Sequence, residues 1–267
     1  MGLIRIINSW QLALEEGNFM KRSWIIVLLV TLHSLIGNAQ HDTALDEATL
    51  DKLTLSLERS MALRPGRTHQ FALYTFECCV FLEPVKARVS WSVEPKVGAH
   101  IDPQSGLFMV DKSTSNGSVF TVSANVENGR KILTTKVHIF TPEANPLVGR
   151  WREKAQTRCD VEEVTVPDVH IEELEFRADG TFSVTWVPFE IYKDYWGAYS
   201  YDLKQGTIKI VVENGNYVPS DIDGNGTFEI SQSGQLTLKN IWLGSKNSEH
   251  KKSEDRPAVC KIIFSRY

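Results

Sequence analysis

The chain lacks the short patterns that carry most enzyme chemistry. Its seven histidines show no HExxH or HxxxH spacing, no serine sits in a Gly-x-Ser-x-Gly elbow, and no glycine-rich phosphate loop or CxxC pair is present. These absences remove the sequence grounds for a zinc or serine hydrolase, a nucleotide-binding enzyme or a thioredoxin-like reductant. No catalytic residue and no cofactor is implied, and nothing argues for an enzyme. An excess of basic charge is missing too. There are 29 Lys and Arg against 33 Asp and Glu, and beyond residue 39 the balance is 26 against 31. A mildly acidic chain without a basic stripe has little to offer phosphate backbones, so nucleic acid is excluded as an expected partner. A long apolar run is also lacking. The most apolar stretch, Trp24 to Leu32 with Leu35 and Ile36, is broken by Thr31, His33 and Ser34. It falls short of the ~20 residues of a membrane helix, so no stable membrane span is expected in the mature chain.

That stretch has the parts of an export signal instead. Lys21 and Arg22 precede it, and Gly37-Asn38-Ala39 end it with small residues. Glu15 and Glu16 put negative charge where a signal is positive, so translation from Met20 gives the more conventional leader. Residues 1–39 are expected to be the signal region, with the mature chain starting near Gln40 in the periplasm, at the cell surface or outside the cell. No cysteine at the cleavage point offers lipid attachment.

With 42% hydrophobic residues in 267, the chain can bury one large core or two ordinary ones. Leu45, Leu50, Leu53, Leu57 and Met61 have helical spacing and predict a short helix in a leader segment, 40–62. From there period-2 alternation and turn residues dominate, which predicts an all-β fold. Two prolines in Thr141–Pro146 mark a linker, 141–146, between β regions at 63–140 and 147–267. The second region yields eight strand candidates, near Val148–Lys154, His170–Arg177, Thr181–Pro188, Trp196–Asp202, Gly206–Val212, Gly226–Ser231, Gln235–Trp242 and Val259–Arg266. Eight antiparallel strands suit a closed up-and-down barrel. Phe182, Val184 and Trp186 share an inner face with Tyr199, Ile208, Ile210, Leu236, Leu238, Ile262 and Phe264. Ser183, Thr185, Lys209, Glu229, Lys239 and Lys261 alternate to the other face, expected to be solvated.

Four cysteines allow three full pairings. Cys159 and Cys260 lie near the two ends of the second region, and their pairing would close a loop of ~100 residues, worth up to ~4–5 kcal/mol in the chain-entropy model. Cys78 and Cys79 are adjacent; they could be free, bridged to one another or simply buried.

Two resemblances follow from particular residues. Leu63-Arg64-Pro65-Gly66, Val89-Ser90-Trp91-Ser92-Val93, Ile101-Asp102-Pro103 with Gly106-Leu107-Phe108, and Phe120-Thr121-Val122-Ser123-Ala124 resemble the bacterial immunoglobulin-like domains of cell-surface proteins. This implies an N-terminal Ig-like β-sandwich with Trp91 in its core. Gly149-Arg150-Trp151 on the first barrel strand, with Arg266 on the last, resembles the bacterial lipocalin-like (calycin) group. That implies a C-terminal eight-stranded antiparallel lipocalin-like barrel in which Arg266 lies across Trp151, a cation–π contact of ~0.5–2 kcal/mol.

Residues 186–196, from Trp186 to Trp196, are dense in aromatics. Trp186, Phe189, Tyr192, Tyr195 and Trp196, with Tyr199 beyond, are candidates for the mouth of a ligand cavity or a stacking platform for sugars; a lid plugging the barrel with its own side chains is the competing reading. Asp221, Asp223 and Asn225, followed by Gly226, match the opening of a calcium loop, but position 12 is Gln232 instead of glutamate, which favours a polar turn. Glu172, Glu173 and Glu175 read as a solvated acidic face. The expectation is an exported, non-enzymatic binding or interaction protein whose barrel holds a small apolar ligand. The alternatives are a structural or protein-interaction component of the bacterial cell envelope, with an envelope protein as partner, and a carbohydrate-binding protein using the aromatic loop.

Overall fold

A computed structural model describes residues 44–55, 60–77, 81–159, 163–189, 191–246 and 259–267. The signal region, Cys78 and Cys79 lie outside the described residues. The fold is all-β; among the described residues the one α-helix is α1 (Glu47–Asp51), with Asp46 as its N-cap accepting from Thr49 N at 2.7 Å.

The first ten strands are β1 (Leu53–Thr54), β2 (Ser60–Leu63), β3 (Thr68–Gln70), β4 (Leu73–Glu77), β5 (Phe81–Val85), β6 (Val89–Glu94), β7 (Ala99–Ile101), β8 (Leu107–Val110), β9 (Val119–Val126) and β10 (Lys131–Ile139). They form three sheets, β1-β4-β5, β2-β10-β9-β6 and β3-β8-β7. Alternation on β6 sends Trp91 and Val93 inward, where they share a core with Phe71, Phe108, Phe120 and Val122. Gly106 is required there: it turns at φ 74°, and a Cβ on it would come within 2.8 Å of the Trp91 indole. The helix expected across Leu45–Leu63 stops at Asp51. Leu50, Leu53 and Leu55 are drawn into this core, and β2 pairs in parallel with β10, so tertiary burial overrides the helical spacing.

The second group is β11 (Gly149–Arg158), β12 (Val164–Thr165), β13 (Glu173–Phe176), β14 (Thr181–Thr185), β15 (Tyr195–Asp202), β16 (Thr207–Gly215), β17 (Asn225–Ile230), β18 (Gln235–Lys239) and β19 (Val259–Arg266). Apart from β12, a two-residue strand on the end of β11, each pairs antiparallel with the next, and β11 pairs with β19 to close an eight-stranded barrel. Inward side chains fill most of it: Trp151, Leu174, Phe182, Val184, Leu236 and Phe264 are wholly buried. Filling is what an eight-stranded interior permits.

The two barrel ends differ. One has short turns at 177–180, 203–206 and 231–234 and faces the linker. Here Trp151 donates its indole N–H to Leu147 O at 2.7 Å, the Arg266 guanidinium lies 4.5 Å from the Trp151 ring centre, and Arg266 also donates to Pro146 O at 2.8 Å. Tyr201 Oη donates to Ala144 O, Asn145 Nδ2 donates to Tyr199 Oη, and Ser60 Oγ on β2 donates to Asp179. The other end carries the longer connections after β11, β14, β16 and β18. There a Cys159–Cys260 disulfide joins the end of β11 to the start of β19.

The disulfide closes a loop with a sequence separation of 101. The double variant C159S/C260S is expected to lose about 2–5 kcal/mol of unfolding free energy in urea under non-reducing conditions. An unchanged midpoint would count against the bond's role in holding the barrel closed.

Candidate functional site

The site is built by an irregularity in β11. Trp151 and Glu153 share parity and both point inward. A register shift between Glu153 and Ala155 makes Lys154 an extra residue, so that Gln156, three positions after Glu153, also points inward. Their cross-strand partners, Phe264 and Ile262, are both core residues, which fixes the direction. A bulge of this kind re-aims side chains, and here it sets an acid and an amide side by side inside the wall. Gln156 Nε2 donates to Glu153 Oε1 at 2.7 Å and Ile171 N donates to Glu153 Oε2, also at 2.7 Å. Glu153 in turn donates its backbone N–H to Ile171 O at 2.9 Å, clamping the segment that leads into β13.

Glu153 is 3% exposed. Burial raises its carboxyl above the ordinary 4.5, outweighing the two hydrogen bonds and the nearby His170, which pull it down. It lines a half-open cavity of about 230 Å³ at the long-loop end, together with Trp186, Trp242, Ile171, Ile262, Leu243 and Lys246. Two further hollows are less suited to a ligand. One, of about 220 Å³, lies where β2 meets the short-turn end. The other, of about 450 Å³, lies at the short-turn end and is lined by Trp151, Ile230, Ser233, Gly234 and Arg266. The first cavity reaches the barrel core and contains a buried ionisable group, the usual combination at a binding site.

Neighbouring loops hold the walls. Asp221 is 2% exposed and accepts from Trp242 Nε1 at 3.0 Å, Ser245 N at 3.0 Å and Ser245 Oγ at 2.8 Å. Burial alone would raise its pKa, but those hydrogen bonds prevail and hold it below the usual range. Trp242 also exchanges backbone hydrogen bonds with Asp223. Tyr195 Oη reaches Leu243 O at 2.6 Å across the interior, and its burial pushes the phenol up. Asp194 fixes the aromatic connection: it accepts from Trp186 N at 2.7 Å and from Tyr192 Oη at 3.3 Å.

The six aromatic candidates are divided rather than gathered. Trp186, Tyr195 and Tyr199 are core residues, Tyr199 at the opposite end from Trp186. Phe189, 67% exposed, points to solvent, and Tyr192 and Trp196 are exposed as well. Of the six, only Trp186 lines the 230 Å³ cavity. Of the calcium-loop candidates, Asp221 is turned inward onto Trp242 and Ser245, while Asp223 and Asn225 stay in the loop and on β17. Among the described residues no group of three or more His, Cys, Asp or Glu side chains is gathered around a metal position. The acidic face on β13 is a correction: Glu173 and Glu175 are buried, not solvated. Glu175 is held by Arg150 Nε at 3.2 Å and Arg177 at 2.6 Å, and Glu173 by Lys193 and the Tyr267 hydroxyl. Ser183 and Thr185 beside them are buried too, because the long cationic side chains fold over the strand.

No family model matches the chain, and no curated protein does. Among solved structures it is similar to a Bacteroides ovatus protein described as a structural-genomics target of unknown function. The two share 8% identity over 80% of this chain and 92% of the other, with a TM-score of 0.25. So low a value carries no argument about fold or function. No helix among the described residues is long and apolar enough to cross a membrane.

The raised carboxyl sets a pH dependence. The folded state holds the Glu153 proton to higher pH than the unfolded chain does, so stability from this group is greatest when it is protonated. It falls as pH rises from about 4.5, the ordinary value, through the folded value. In Glu153→Gln this contribution is absent, so the variant's stability relative to the native chain is expected to increase with pH across that window. Parallel urea-unfolding curves would check it; a constant difference would refute the assignment.

Proposed function

We propose that this is an exported, non-enzymatic binding protein: an Ig-like module ahead of a lipocalin-like barrel that carries a small, largely apolar ligand in its long-loop end. The observation that supports the reading is the cavity of about 230 Å³ beside Trp186, Trp242 and Glu153. Its lining residues Ile171, Trp186, Trp242, Leu243 and Ile262 belong to the barrel core, so an occupant would replace water on apolar surface at ~25 cal/mol per Å². The signal-like N-terminal segment and the disulfide are in keeping with an oxidising compartment, the periplasm or the cell surface. The Ig-like module would be a spacer presenting the barrel, with the short-turn end against the linker and the mouth turned away from it.

A second reading, an interaction component of the cell envelope, is favoured by exposed apolar side chains on the same end: Val164, Val166, Val187, Phe189 and Ile191. Native mass spectrometry of the exported chain separates the two. The carrier reading expects excess mass that leaves on denaturation and a Trp186→Ala variant that no longer retains it. A bare chain shifts the balance to the envelope reading, which expects a crosslinked partner that is lost in Phe189→Ser.

A further inference from the structure

The cavity has a chemical polarity that narrows its ligand. Its walls are mostly apolar, with two indoles, Trp186 and Trp242. The buried ionisable group in the wall is an acid, Glu153, and its hydrogen bonds come from an amide and a backbone N–H. A carboxylate offers about four acceptor positions, so these two bonds leave acceptor capacity on a residue that lines the cavity. Among the described residues no lysine or arginine forms an ion pair with it; the one lysine in the lining, Lys246, is on the more exposed side. The nearby His170 is engaged by Glu172 at 2.8 Å, and a buried carboxylate without a paired cation is costly unless a positive charge joins it. Indole faces attract cations as well, with the best aromatic geometry for an ammonium group.

We infer that the barrel mouth takes a small organic monocation: an ammonium group paired with Glu153 and flanked by Trp186 and Trp242, on an apolar body. Lys246 sets the orientation, cationic end inward, and disfavours a second positive charge at the outer end. At ~30 Å³ per water, 230 Å³ corresponds to about seven or eight waters, room for a compact amine of roughly ten non-hydrogen atoms. This inference rests on the carrier reading and adds the charge of the ligand to it.

A matched pair of probes tests it. Phenethylamine and phenethyl alcohol have the same shape and differ in the ammonium, and each is titrated calorimetrically into the full exported chain and into Glu153→Gln at neutral pH. The native chain is expected to bind the amine at least ~10-fold more tightly than the alcohol, as an ion pair supplemented by cation–π contact should. In Glu153→Gln that preference is expected to vanish, the amine binding no more tightly than the alcohol. Glutamine retains an acceptor for Ile171 N, and continued alcohol binding reports an intact cavity. Equal affinities in the native chain, or an amine preference that survives in Glu153→Gln, would overturn the inference and leave the carrier reading standing. Binding of neither probe would overturn both.

Discussion

The seam between β11 and β19 is where an eight-stranded sheet becomes a barrel, and everything inside depends on it. It is fastened at both ends by different chemistry. At the long-loop end the Cys159–Cys260 disulfide makes it covalent. At the short-turn end Arg266, from β19, lies over the Trp151 ring of β11 and donates to Pro146 O, while Trp151 donates to Leu147 O. The cation–π contact adds about 0.5–2 kcal/mol. Its larger effect is positional, because it ties strand closure to the linker, so that the barrel and the strands before it share one boundary.

The same seam supplies the site. One end is docked through Ser60, Ala144 and Asn145, with Trp151 wholly buried behind it, and near the other end the bulge at Lys154 turns two polar side chains into an apolar wall. Loop residues then hold the walls from behind: Asp221 under Trp242, Asp194 under Trp186, and Tyr195 across to Leu243. Each of these buried polar groups has its partner, so the mouth is pre-organised by hydrogen bonds rather than by packing alone. Glu153 differs in that no lysine or arginine among the described residues pairs with it, and the nearby His170 is engaged by Glu172 at 2.8 Å.

Much of this was legible from spacing alone. All eight barrel strands have counterparts in the alternation read from residues 147–267, and the inward set, from Phe182 and Val184 to Ile262 and Phe264, is the observed core. The Cys159–Cys260 pair followed from position. What sequence reading missed has a physical cause in each case. The helical spacing of Leu45–Leu63 yielded to burial of Leu50, Leu53 and Leu55. Glu173 and Glu175 looked solvated because strand alternation says nothing about long arginine and lysine side chains folding over a face. The aromatic segment is dense, yet of its residues only Trp186 lines the cavity, since Phe189 and Tyr192 lie in an exposed loop and Tyr195 and Trp196 alternate on a strand. Glu153 did leave a signal, its shared parity with Trp151. The register shift that adds Gln156 cannot be read from alternation, because it breaks alternation.

On the proposed carrier reading, ligand enters at the long-loop end and leaves the Trp151 end undisturbed. The direct measurement is the indole N–H region of a nitrogen–proton correlation spectrum, with assigned tryptophans, during titration with a small apolar amine. Shifts are expected at Trp242, whose indole N–H is held by Asp221 beside the cavity, and none at Trp151. A shift at Trp151 with Trp242 unmoved would place the ligand at the opposite end and contradict the account.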